Sequence, residues 1–227
     1  MDGASTVLMY VRTESYMSDQ SVIRPLRIGD EAPGFRARTT QGSVELGSYR
    51  GRWLVLFSHP ADFTPVCTSE FVALARAADR FEALDCALLG LSVDSLYSHL
   101  AWISAIREIF DVVIPFPIIE DPSMTIGAAY GMIDPNAPDS SSVRAVYFID
   151  PAGVIRAMTW YPLTVGRSVD EMVRLLIALQ TTASGERLAP ADWHPGQPML
   201  LPAPQSAELI AASDSGEAWF YRLTAQG

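Results

Sequence analysis

Residues 53–70 read WLVLFSHPADFTPVCTSE. The first six form a continuous apolar run of strand length, which predicts a buried central strand. Thr64-Pro65 then predicts a helix start, because threonine can cap with its hydroxyl and proline at the first helical position has no amide to leave unpaired. From Pro65 to about Arg80 the apolar Phe71, Leu74, Ala75, Ala78 and Phe81 recur at helical spacing. Cys67 therefore falls at the third helical position, near free backbone N–H groups and the positive end of the helix dipole. Both favour thiolate over thiol, so the context predicts an activated nucleophile. The competing reading is a small apolar core residue, since free cysteines are among the most buried residue types.

Outward from this stretch the pattern continues. CALLGLSVD (86–94) reads as another buried strand. Ser95 predicts the cap of a helix over roughly 96–109, with Leu96, Leu100, Ile103 and Ile106 on one face. IPFPIIED (114–121) predicts a third strand, and DPSMTIGAAYG a short helix stopped by Gly131. VRAVYFIDPAGVIRAMTW (143–160) gives two antiparallel strands around an Asp-Pro-Ala-Gly turn, and SVDEMVRLLIALQ a closing helix capped by Ser168. The order β-α-β-α-β-α-β-β-α predicts an α/β protein with a mixed central sheet flanked by helices, which is the order of the thioredoxin fold. Beyond Thr181 the composition changes to LAPADWHPGQPMLLPAP. The expected organisation is a poorly ordered extension over 1–24, a domain over 25–181 and a C-terminal arm over 182–227, with Met17 an alternative start to Met1.

Bulk properties narrow the function. The chain has 227 residues, 49% hydrophobic and 19% charged, and no stretch nears the ~18 uninterrupted apolar residues of a membrane helix. A formal charge of −10 opposes any broad attraction to nucleic acid or anionic lipid. Cys67 and Cys86 are too few for a disulfide framework, no metal-ligand spacing accompanies them, and His59, His99 and His194 are scattered. Neither metal nor cofactor is expected. The N-terminal residues lack a basic region followed by an apolar core, so a cytoplasmic protein is expected.

Pro60, Thr64 and Cys67, spaced P-x-x-x-T-x-x-C, resemble the peroxidatic-cysteine motif of peroxiredoxins. A thioredoxin joins the same strand and helix with Cys-x-x-Cys, whereas here Thr64 takes the first position. The resemblance extends through GDEAPGF, LSVDS, RAVYFIDPAGVIR, YP-x-x-x-GR at 161–167 and PADW at 190–193, covering about residues 25–205. The FSHPADFTPVC wording and the trailing arm are most similar to the one-cysteine (peroxiredoxin-6-like) branch.

That resemblance implies a thiol-specific peroxidase for hydrogen peroxide and organic hydroperoxides, working through a sulfenic acid on Cys67. It implies Arg144 as the active-site arginine, Thr64 as a hydroxyl for thiolate or peroxide, and Pro60 as a shield. Glu70 resembles the glutamate that orients the arginines, with Arg167 as its second partner; an exposed helix salt bridge is the alternative for that pair. It also implies a homodimer through GVIRAMTW, or a ring of dimers up to a decamer. Cys86 begins a core strand, so the reductant is expected to be an external thiol or a thioredoxin-like protein. His59 raises a Cys–His hydrolase as an alternative, but no Asn or Asp motif completes that signature. Lipase activity in some relatives uses a serine in Gly-Asp-Ser-Trp-Gly; alignment on Trp53 puts Arg52 there, and Ser48 reads as a turn residue. A redox-inert scaffold would be expected to lose one of Pro60, Thr64, Cys67 and Arg144, and all are present.

Overall fold

The computed structural model describes residues 25–133, 142–212 and 218–224, and the expected N-terminal extension lies outside them. Seven strands form the main sheet: β1 (Arg36–Thr39), β2 (Gly42–Glu45), β3 (Trp53–Ser58), β4 (Cys86–Ser92), β5 (Ile118–Glu120), β6 (Arg144–Ile149) and β7 (Ile155–Tyr161). Their order is β2-β1-β5-β4-β3-β6-β7, with β3, β4 and β5 parallel and the outer pairings antiparallel. The helices are α1 (Pro65–Arg76), α2 (Ala78–Glu82), α3 (Leu96–Phe110), α4 (Thr125–Ala129) and α5 (Val169–Thr181).

Strand periodicity sorts the core. Val55, Phe57, Leu88, Val146 and Phe148 point to one face, against Phe71 of α1, Trp102 of α3 and Leu176 of α5. Leu54, Leu56, Leu89, Leu91 and Tyr147 point to the other, against Ile126 and Tyr130. Each fully buried side chain of this size stabilises the fold by about 1.5–3 kcal/mol relative to exposure. Gly90 on β4 lets α1 lie close to the sheet, since a Cβ there would meet ring atoms of Phe57 and Phe71 at 3.4 Å. The thioredoxin-like architecture follows the sequence expectation.

Several local expectations need correction. The helix from Pro65 breaks at Ala77, where φ −100° and ψ 1° leave the helical region, and α2 then buries Phe81 separately. The strand expected over 114–121 contracts to Ile118–Glu120, because Pro115 and Pro117 have no N–H to give a ladder. α3 buries Ile106 and packs Ile103 on the core as expected, but it also buries His99 and Trp102, while Leu100 of the expected face is 40% exposed. The burial of His99 and Trp102 follows from polar atoms that find partners inside: Trp102 Nε1 donates to Thr68 Oγ1 at 3.2 Å, and His99 reaches Asp62.

Beyond α5, β8 (Leu200–Leu201) pairs with β9 (Arg222–Leu223), and α6 (Ala207–Ala211) lies between them in sequence. Trp193 and Met199 pack on Ala178 of α5. Among the described residues no helix is long and apolar enough to cross a membrane.

Candidate active site

Cys67 occupies the third position of α1 and is fully buried. Thr64 stands at the helix N-cap in an extended conformation, but its hydroxyl does not cap; it donates to the Ala61 carbonyl at 2.8 Å. The start of α1 is therefore left without a side-chain cap, with the positive end of its dipole next to the sulfur. Pro60 is buried on the same connection between β3 and α1.

Arg144, the first residue of β6, faces α1 because strand periodicity puts it on the side of Val146 and Phe148. Its Nη1 donates to Cys67 Sγ at 3.4 Å and to Glu70 Oε2 at 2.6 Å. Nε and Nη2 donate to the Leu163 carbonyl at 3.1 and 3.0 Å. Arg167 grips Glu70 as a fork, Nε to Oε1 at 2.8 Å and Nη2 to Oε2 at 2.7 Å, and its backbone N–H adds a third bond at 2.8 Å. Glu70, Arg144 and Arg167 are all buried, so this is not an exposed helix salt bridge.

Ser58 was not anticipated. Its hydroxyl donates to the Val143 carbonyl and accepts from the Ala145 N–H, bracketing Arg144 from both sides. Its carbonyl accepts from Arg167 Nη1 at 2.9 Å. Only its place at the end of β3, beside the arginine strand, marks it in the sequence.

Two of the three histidines come together, while His194 stays apart on the arm. His59 Nε2 and His99 Nδ1 each lie 2.8 Å from a different oxygen of Asp62, and all three residues are buried. Burial holds the His59 imidazole below its ordinary range, against the pull of Asp62. Burial would raise Asp62, but the hydrogen bonds from His59 and His99 outweigh it and hold the carboxyl well below the carboxylate range. The ligand atoms of the trio lie within 4.8 Å of one another, a spacing compatible with a metal, yet they are already engaged in hydrogen bonds. Asp62 and His99 escaped sequence reasoning; the available signal was Asp62 inside the cysteine motif and His99 three residues before Trp102 on one helix face.

Ser48 donates to the Glu45 carbonyl at 2.7 Å in a short helical turn, and Arg52 pairs with Glu82 at 3.0 Å, so neither is arranged as a hydrolase nucleophile. Cys86 is buried at the start of β4, where loss of solvent pushes its thiol up to about 12.

Comparison with known proteins agrees with this geometry. The AhpC/TSA family model matches residues 28–158, and the model for the C-terminal domain of 1-Cys peroxiredoxin matches residues 178–216. Peroxiredoxin 2 of Caldanaerobacter subterraneus subsp. tengcongensis is 47% identical over 196 residues, covering 86% of this chain and 88% of its own. A peroxiredoxin of Aquifex aeolicus is 51% identical over 170 residues, covering 74% and 77%. Among solved structures, a yeast mitochondrial 1-Cys peroxiredoxin superposes with a TM-score of 0.78 at 38% identity, covering 88% of this chain and 99% of its own. Peroxiredoxin 6 of Arenicola marina gives 0.79 at 32% identity, covering 89% and 99%. The chain thus belongs to the peroxiredoxin family, in its one-cysteine branch, and is a thiol-dependent peroxidase.

Proposed function

We propose that Cys67 is the peroxidatic nucleophile, that Arg144 and Thr64 receive the hydroperoxide, and that Pro60, Glu70, Arg167 and His59 support them. The observation that carries this is charge balance. Two guanidiniums and one carboxylate leave one buried cation, and Arg144 places it against Cys67 Sγ at 3.4 Å. A thiolate neutralises that charge where water cannot.

In the reaction a sulfur lone pair attacks the distal oxygen of the hydroperoxide. The S–O bond forms as the O–O bond breaks, and the bonding pair leaves on hydroxide or alkoxide, which takes a proton from solvent. Cys67 becomes a sulfenic acid. The Arg144 guanidinium faces the departing oxygen, where fixed donors contribute most. Because the Thr64 proton is committed to the Ala61 carbonyl, its oxygen meets the peroxide as an acceptor. Hydrogen peroxide and small organic hydroperoxides are the substrates.

An external thiol then attacks the sulfenic sulfur, releasing water, and a second thiol frees Cys67 as a disulfide departs. The yeast relative's description names glutathione and thioredoxin systems as its route of thiol resolution. We place this protein with reductants of the same class, a small thiol or a thioredoxin-like protein, and in the reducing cytoplasm. The working unit is a homodimer joined through β7, with residues 182–227 as a dimerisation arm on the 25–181 domain; a ring of such dimers, up to a decamer, is the alternative assembly. Cys67→Ser is expected to abolish rapid peroxide consumption with the fold intact by circular dichroism. Turnover retained in that variant would remove Cys67 from the chemistry.

A further inference from the structure

The connection from β3 to α1 is held by the buried His59, Asp62 and His99. His99 Nδ1 meets the Asp62 carboxylate at 2.8 Å and Nε2 meets the Ile119 carbonyl at 3.2 Å, so the ring ties the loop to β5. His59 donates through Nε2 to Asp62, while its buried Nδ1 has no partner among the described residues, which fits a neutral ring.

Asp62 is also tied by its backbone. Its N–H donates to Asp94 Oδ2 at 2.9 Å, and the Ser92 hydroxyl donates to the same oxygen at 2.9 Å. The next residue, Phe63, has φ +56° and is 59% exposed. A left-handed aromatic residue is strained and persists only where its surroundings over-determine the backbone. Asp62 supplies that restraint on one side of Phe63. On the other side Thr64 opens α1, and Cys67 follows within the first turn.

We propose that His99 is a positioning residue for the peroxidatic loop: its Nδ1–H, donated to the Asp62 carboxylate, keeps residues 59–64 in the strained conformation that fixes where α1 begins and keeps Cys67 buried. This rests on the reading of Cys67 as the nucleophile. Without the His99 contact Phe63 relaxes, the start of α1 shifts, and the sulfur loses its place beside Arg144 while becoming accessible.

The test uses the full chain and two rates that should move in opposite directions. His99→Leu removes the donor at similar size; His99→Asn retains a donor at the Nδ1 position. In His99→Leu the second-order rate with hydrogen peroxide should fall about tenfold or more, while alkylation of Cys67 by iodoacetamide, read by mass at that residue, should rise about tenfold. His99→Asn should hold both rates within about threefold of wild type. A side chain that only fills space would lower the melting temperature and leave both native-state rates in place, and that result overturns the proposal, as do equal shifts in the two variants. Should His99→Leu fail to fold, Asp62→Asn is measured instead; the same opposed shifts support the proposal and unchanged rates overturn it. Cys67→Ser runs alongside: activity retained there overturns the nucleophile reading, whereas activity lost there with unchanged rates in His99→Leu overturns only the positioning role.

Discussion

Glu70 is the residue on which both guanidiniums depend, accepting from Arg144 Nη1 and from the backbone N, Nε and Nη2 of Arg167. Removing its charge leaves two buried cations facing each other, and breaking a buried pair in this way costs about 3–5 kcal/mol. Glu70→Gln should therefore lower the unfolding free energy by that scale, read as a lower denaturant midpoint, and slow peroxide reduction; a midpoint equal to wild type would show that the arginines are held by other contacts. Arg144→Lys asks a different question, since it keeps the charge but loses the fork that spans Cys67 and the Leu163 carbonyl. The expected loss in second-order rate is about 100-fold with little change in stability, and a rate near wild type would reduce Arg144 to a point charge. His59 gives a pH signature. Its imidazole is held below the ordinary 6.5 by burial, so below that pH the unfolded chain binds a proton that the folded chain refuses, and stability falls as pH falls. His59→Gln keeps a donor at the Nε2 position and removes that acid penalty. Its melting temperature should gain on wild type between pH 7 and about pH 5. A variant that instead loses ground at acid pH contradicts the assignment.

At the scale of elements, the register of β3 decides what the second cysteine can do. Trp53 pairs with Cys86 at the foot of β3, while Ser58 closes the other end, where Arg144 meets Cys67. Six residues of strand span roughly 17 Å, against the ~7 Å between Cα atoms that a disulfide allows. Oxidation with one equivalent of peroxide should therefore give a Cys67 sulfenic acid and no Cys67–Cys86 bond within the chain. Non-reducing mass analysis checks this, and such a bond would mean that the sheet opens during the cycle. The elements that make this argument were legible from local physics: six apolar residues in a row made β3, Thr64-Pro65 started α1, and the Asp-Pro-Ala-Gly turn set β6 against β7 with Gly153 at φ +77°. Ser95 and Ser168 cap α3 and α5 as their positions suggested. The cysteine, arginines and glutamate of the site were legible through the family motif. What stayed hidden was non-local. The buried face of α3 was half legible: Ile103 and Ile106 pack on the core as the apolar stripe suggests, whereas His99 and Trp102 are drawn inward by hydrogen-bond partners on α1 and its preceding loop. Threonine capping failed for a related reason, since a nearby carbonyl competed for the hydroxyl.

For the whole molecule the open question is the edge of the sheet. β7 is the last strand in the order and seven residues long; Ile155 at its start bonds Gly29 and Asp30, and beyond it the outer side of the strand has no strand neighbour among the described residues. On it Trp160 is 48% exposed, and Leu163 and Val165 just after it are also exposed. Such an edge invites pairing, and a second copy of β7 running antiparallel would satisfy both chains at once. Charge works against this contact: each chain carries a formal −10, so two copies repel at long range, and salt screens that repulsion. Dimerisation should accordingly tighten as salt rises, the opposite of an interface held by surface ion pairs. Trp160 pairs with Ala145 across β6 and β7, on the face opposite Arg144, so a change there reaches the edge without touching the arginines. Trp160→Glu adds a like charge to each side of the contact and should shift sedimentation from dimer to monomer, while the first-turnover rate with peroxide stays near wild type. A wild-type chain that sediments as a monomer at micromolar concentration would sink the edge-to-edge dimer. A Trp160→Glu chain that remains fully dimeric would move the interface away from β7.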